Sequence, residues 1–214
     1  MAGSLAATVV LACALLVATG AFAGSGGEPA NKVVAAGSHT VVMAPEQGAT
    51  LLSARMSTAK PTDVVLQVAL ECSILTTVTN VGTSTASAGG QVRVWTEVDG
   101  QIVPVESTSE PPQETPPGGT DADKAVFCAR THTVEFMPLT ETETIKQFQE
   151  TKNADAFNWL RFNLGAGEHT ITVKADLNSE AVNGTAEAIV GNRTLIVEPT
   201  QMANNAVISA TGSG

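Results

Sequence analysis

From Val64 to Val78 the even positions read Val64, Leu66, Val68, Leu70, Cys72, Ile74, Thr76 and Val78, while the odd positions include Gln67, Glu71, Ser73 and Thr77. A period of two puts alternate side chains on opposite faces of an extended chain. A helix, with its period of 3.6, cannot segregate that pattern. The segment is therefore a β-strand with one apolar face, and Cys72 lies on it. Its length predicts a bend or a division near Ser73.

Further strands are marked by their turns. Asp99-Gly100, within Val98-Asp99-Gly100-Gln101, suits the positive φ angles of a type I′ hairpin, so residues 91–98 and 101–107 are expected to pair antiparallel. Leu164-Gly165-Ala166-Gly167-Glu168 is read as a second hairpin turn, joining 157–164 to 169–177, and Gly191-Asn192 as a third, joining 187–190 to 193–197. Residues 107–123 hold Pro111, Pro112, Pro116, Pro117 and a Gly118-Gly119 pair, and read as a long acidic exposed loop. Residues 140–156 carry two patterns. Thr140 with Glu143 resembles a capping box, with Ile145 and Phe148 on one helical face, while the Thr-Glu alternation fits an edge strand. The reading favours a short helix or an irregular segment there.

Repeated short strands with one doubtful helix predict an all-β fold, an antiparallel β-sandwich of roughly eight to ten strands, immunoglobulin-like or jelly roll. The order Cys72, Trp95, Cys128 invites the immunoglobulin reading; the chain has no tyrosine, so it lacks a tyrosine corner. Residues 37–210 are expected to form this single domain.

The chain begins with an apolar run, Leu5 to Val17, then the small-residue stretch Ala18-Thr19-Gly20-Ala21-Phe22-Ala23. This is the pattern of a signal peptide, residues 1–23, cleaved after Ala23, with 24–36 read as a flexible segment ahead of the domain. The run is shorter than the roughly 20 apolar residues that span a bilayer. Cys13 lies inside it and would leave with it. No later run suggests a membrane anchor, so the expected location is secreted or extracytoplasmic. The formal net charge of −10 argues against nucleic acid and anionic membrane as partners. Cys72 and Cys128 then remain as an even pair in an oxidising compartment, which predicts one disulfide.

Chemistry is harder to read. His39, His132 and His169 each precede a threonine. Three imidazoles converging from three strands would bind zinc and leave a position for water, as in a hydrolase. The plainer alternative is three solvent-facing strand residues. Glu110, Glu114, Asp121 and Asp123 lack the spacing of a calcium loop and read as a solvated acidic stretch. No Gly-x-Ser-x-Gly elbow or His-Glu-x-x-His motif is present, and no cofactor is implied. Alternation places Trp95 beside Arg93 and Glu97, opposite Val92, Val94 and Val98. It places Trp159 beside Phe157 and Arg161, opposite Leu160, Phe162 and Leu164. Trp95, Arg93, Trp159 and Arg161 are thus candidate contacts for a carbohydrate or a protein. The alternative is a structural pairing of arginine with tryptophan. Asn183 and Asn192 begin glycosylation sequons.

Phe157-Asn158-Trp159, the stretch Gly167-Glu168-His169-Thr170-Ile171-Thr172-Val173 and the stretch from Val190 to Pro199 resemble exported proteins of bacteria and archaea that have no known activity. The resemblance implies export and β-structure, and brings no catalytic or binding residues. The functional expectation is a secreted, non-enzymatic sandwich with a binding, adhesion or structural role; the alternative is a secreted, metal-dependent hydrolase.

Overall fold

The computed structural model describes residues 32–43, 48–82, 84–105, 123–135 and 143–200. The signal segment 1–23 and nearly all of the proline-rich loop 107–123 lie outside them. The described residues form ten strands and no helix: β1 (Val33–Gly37), β2 (Val41–Met43), β3 (Ala49–Thr58), β4 (Thr62–Val81), β5 (Thr85–Val98), β6 (Gln101–Ile102), β7 (Ala125–Glu135), β8 (Thr144–Leu164), β9 (Gly167–Val182) and β10 (Gly184–Thr200). All pair antiparallel in two sheets. A front sheet runs β1-β10-β4-β8, with β2 also on β10; a back sheet runs β3-β9-β5-β6, with β7 also on β5. This is a β-sandwich, as the alternation requires.

Strand β4 is the centre of the front sheet. Leu66, Val68, Leu70, Cys72 and Ile74 are buried and meet Val92, Val94, Ile171, Val173 and Leu177 of the back sheet in one continuous core. The strand does not divide at Ser73. Its register with β8 is unbroken from Val64 to Val81. The irregularity lies in its neighbour: Val190 pairs with Cys72 but Arg193 with Leu70, so Gly191 and Asn192 together oppose Glu71. This is a β-bulge inside one long strand, β10, and the expected turn is absent. The bulge shifts the inward set from Ala186, Ala188 and Val190 to Arg193, Leu195 and Val197. Buried Arg193 then donates to the carbonyls of Leu51 (3.0 Å), His39 (2.6 Å) and Gly191 (3.0 Å), tying the bulge to β3 and to the β1–β2 turn.

Three other expectations change. Residues 157–164 and 169–177 are not a hairpin, because β8 pairs with β4 and β9 with β3 and β5; the Gly165 turn carries the chain from one sheet to the other. Thr144–Ala156 is strand, not helix, and is held along its length by β4. Residues 33–36, expected to be flexible, are strand paired to β10 from Val33 with Val197 onward. The Asp99-Gly100 hairpin forms, with φ of +53° and +80°, but β6 has only two residues.

Cys72 of β4 and Cys128 of β7 form the disulfide, Cα to Cα 6.3 Å, both buried. It joins the central front strand to the back-sheet strand that follows the proline-rich stretch.

Candidate functional site

The two tryptophans do not form a contact surface. Trp159 is fully buried and points between the sheets. Its ring lies parallel to Phe127 (6.5 Å between centroids) and edge-on to Phe157 (4.7 Å). Leu160 and Phe162 take the outer face instead, the reverse of the expected assignment. The aromatic pair Phe157 and Trp159 contributes more apolar area than Leu160 and Phe162, so it goes inward. Arg161 shares the inward side and is half-buried.

Trp95 does lie on the outer face of the back sheet, but only 8% of it is exposed. Gly48 lies against the indole edge and the Lys124 ammonium stands 4.5 Å over the ring. The cation on the tryptophan is thus Lys124, while Arg93 serves the next cross-strand pair. Arg93 donates Nε and Nη2 to the two Asp176 oxygens at 2.7 and 2.9 Å, and Lys124 adds a 2.6 Å contact to the same carboxylate. Trp95 Nε1 donates to Glu97 (3.0 Å), whose other oxygen meets Lys174 at 2.9 Å. Burial would raise the Asp176 carboxyl, but the hydrogen bonds and charges of Arg93 and Lys124 outweigh it and hold the group low. Glu97 is also held low: burial pushes up, and the hydrogen bonds from Lys174, Trp95 and Thr172 prevail. These charges satisfy one another. They form a ladder that locks β5 to β9.

The histidines are not brought together. His39 is exposed in the β1–β2 turn. His132 on β7 pairs with Ala88, whereas Ile171, two residues after His169, pairs with Val98, so His132 and His169 flank opposite ends of β5. Among the described residues no three His, Cys, Asp or Glu side chains gather into a metal site. His169 has its own structural task. Nδ1 is 2.7 Å from Asp99 Oδ2 and Nε2 is 2.9 Å from the Gly165 carbonyl. A carboxylate and a carbonyl only accept, so both contacts are hydrogen bonds together only when the ring is protonated. The Asp99 hydrogen bond raises the His169 pKa against the opposing effect of burial, and the Gly165 carbonyl adds to the rise. The bonds from His169 and from the Thr170 amide (2.8 Å) hold Asp99 low. The residues clasp the β5–β6 hairpin tip to the β8–β9 turn.

The sequons sit at distinct places. Asn183, with φ of +53°, makes the β9–β10 turn and donates to the Thr85 carbonyl at 3.3 Å. Asn192 is in the bulge and donates to Glu71 at 3.1 Å. Of the acidic residues considered for calcium, Glu110, Glu114 and Asp121 lie outside the described residues.

The surface that the expectations missed is the outer face of the front sheet. Of eight large apolar side chains exposed among the described residues, Val34, Val42, Val81, Phe148 and Phe162 occupy this one face, with Val42 at 69% and Phe148 at 62%. Their register fixes the side: Val34 pairs with Ile196 and Val42 with Ile189, both outward neighbours of β4's odd positions. Half-buried Val65, Leu75, Leu160, Ile189 and Ile196 extend it. Three shallow depressions, of about 690, 450 and 270 Å³, open on it; the middle one is lined by Ala69, Ala154, Ala156 and Thr194, with Glu71 and Asn192. A partial sequence signal was present: β4 carries Val65, Ala69 and Leu75 among Gln67, Glu71 and Thr77 on its odd positions, so its outer face is mixed and not purely polar.

No protein-family model and no curated protein matches the chain. Solved structures that it is similar to include those of infectious bursal disease virus, Gx strain (8% identity over 79% of this chain, TM-score 0.14) and Gt strain (16% over 84%, TM-score 0.14). The chain spans about two fifths of each viral chain, 40% and 43%.

Proposed function

We propose that the protein is exported and works without catalysis, as a binding or assembly module whose contact surface is the outer face of the front sheet. The observation that carries this reading is the asymmetry between the two outer faces. The back face carries a ladder of ion pairs and exposes Ile102, Val126 and Val182, while the front face exposes the larger set, Val34, Val42, Val81, Phe148 and Phe162. Apolar side chains gathered on one face of a soluble domain mark a protein contact. Both tryptophans are buried and three of the five exposed side chains on the front face are valines, which favours a protein as the partner over a stacked sugar. The buried Cys72–Cys128 bridge supports export, because such bridges persist in oxidising compartments.

Two measurements test it. The mature chain is expected outside the cytoplasm with Gly24 as its first residue; a cytoplasmic chain still starting at Met1 would refute export. A photo-crosslinking residue at Val34, Val42 or Phe162 is expected to capture a protein, and the same residue at Thr172 on the back face to capture none. Equal capture from both faces, or none from the front, would refute the surface.

A further inference from the structure

Strand β8 is the outermost strand of the front sheet and has 21 residues, of which Thr144–Arg161 are paired to β4. Among the described residues β4 is its sole ladder partner. In an antiparallel ladder each residue directs both its N–H and its C=O to one side, and successive residues alternate sides. The Ala156 amide takes the Asp155 side chain (2.7 Å) in place of a strand, so the even positions are those that face the open edge. Their side chains also lie on the outer face, since the odd positions pair with the inward-facing Val78, Ile74, Cys72 and Val68 of β4.

We infer that β8 pairs antiparallel with β8 of a second copy, about a twofold axis at Thr151, so that two front sheets merge into one. This contact lies at the edge of the front sheet and goes beyond the reading of its outer face, because Val34 and Val42, on β1 and β2 at the opposite side of the sheet, stay uncovered by it. Such an interface is isologous: each residue's partner is fixed by reflection through Thr151. Glu150 then opposes Lys152 of the second copy, and Lys152 its Glu150, so both pairs have opposite charge. Phe148, 62% exposed, opposes Ala154 and lies beside Ala156, at the rim of the small-residue trough of about 450 Å³. Phe148 and Ala154 are each three residues from Thr151, so both knob-and-hole contacts form together when the twofold passes there. Among the described residues the even-numbered amides and carbonyls, the Ala156 amide apart, have no strand beside them, and they face one another across the same axis. Lys152 is free to turn to this role, as its side chain is 69% exposed and only 4.0 Å contact to Glu71 engages it.

The test is sedimentation of the purified protein across a concentration series, with charge exchange at the axis. The unaltered chain is expected to dimerise. Glu150→Lys alone and Lys152→Glu alone each place like charges opposite one another and are expected to weaken self-association by about tenfold or more. The double variant Glu150→Lys with Lys152→Glu restores opposite pairs with the signs reversed and is expected to recover the dimer. Because both side chains are exposed, circular dichroism is expected to show all four proteins folded alike. A monomeric unaltered chain overturns the inference, and so does a dimer indifferent to the single exchanges. Capture of a different protein at Val34, Val42 or Phe162 by a monomeric chain would leave the front face as the contact surface and remove only the second copy.

Discussion

Asp176 is the residue on which the back sheet's outer ladder turns. It is 6% exposed and accepts from both Arg93 and Lys124. Removing it leaves two cations short of their shared anion, one of them over Trp95. Hydrogen bonds to charged groups contribute about 1.5–3 kcal/mol, so Asp176→Ala is expected to lower unfolding stability by about that much, measured by urea titration at neutral pH. The depressed pKa of Asp176 gives the direction in acid: its contribution is present above the ordinary carboxyl value of 3.8 and disappears as the pH falls through the lower folded value. A loss under 0.5 kcal/mol would mean that the ladder is only a solvated surface pair. Trp159 makes the complementary case. Among the described residues its indole N–H has no hydrogen-bond partner, while its ring packs on Phe127 and Phe157. Trp159→Phe is expected to cost far less than Trp159→Ala, which opens a cavity worth about 3–5 kcal/mol; equal losses in thermal or denaturant unfolding would contradict that. That both tryptophans sit beside arginines was legible along the chain, but whether water reaches them was not, because Gly48, Lys124 and Phe127 approach from remote segments.

At the level of elements, the two turns clasped by Asp99 and His169 belong to different strand pairs, and the clasp depends on pH. His169 is raised above its ordinary value of 6.5, so its stabilisation is complete below that value and is lost as the pH rises through the higher folded pKa. Asp99 is held below 3.8, so its part is lost only in acid, as the pH falls through its folded value. The clasp is therefore intact between those limits. Denaturant midpoints of the native chain are expected to exceed those of His169→Gln at pH 5.5, and the difference is expected to narrow at pH 9. A difference that grows with pH would show that the ring is neutral when folded. The same scale explains which elements were readable. The Asp99-Gly100 hairpin was, because its φ requirements are local. The slip of the apolar set from even to odd across Gly191-Asn192 was visible too, but a Gly-Asn pair marks a turn and a bulge alike, and only the pairing of both halves with β4 separates them. Residues 144–156 gave no usable period because most of that half-strand is solvated, and it is the β4 backbone that holds it extended.

For the whole molecule, the disulfide is a side-chain covalent link between the two sheets. It closes a sequence separation of 56 residues, which restricts the unfolded chain by about 4 kcal/mol. Cys72→Ala with Cys128→Ala is expected to lose stability of that order in guanidinium unfolding; a loss below 1 kcal/mol would show that the sandwich does not rely on it. The β-class, the inward face of β4 with Cys72 on it, and the bridge between the only two cysteines after residue 23 follow from the order of residues, because period-two alternation and a cysteine count are local properties. Which turns join strands of one sheet and which cross to the other, the inward side of β8, and the contrast between the ion-paired back face and the more apolar front face were decided by tertiary structure. Each depends on which remote strand becomes a neighbour, and burial of the larger apolar set settles that only when both sheets are in place.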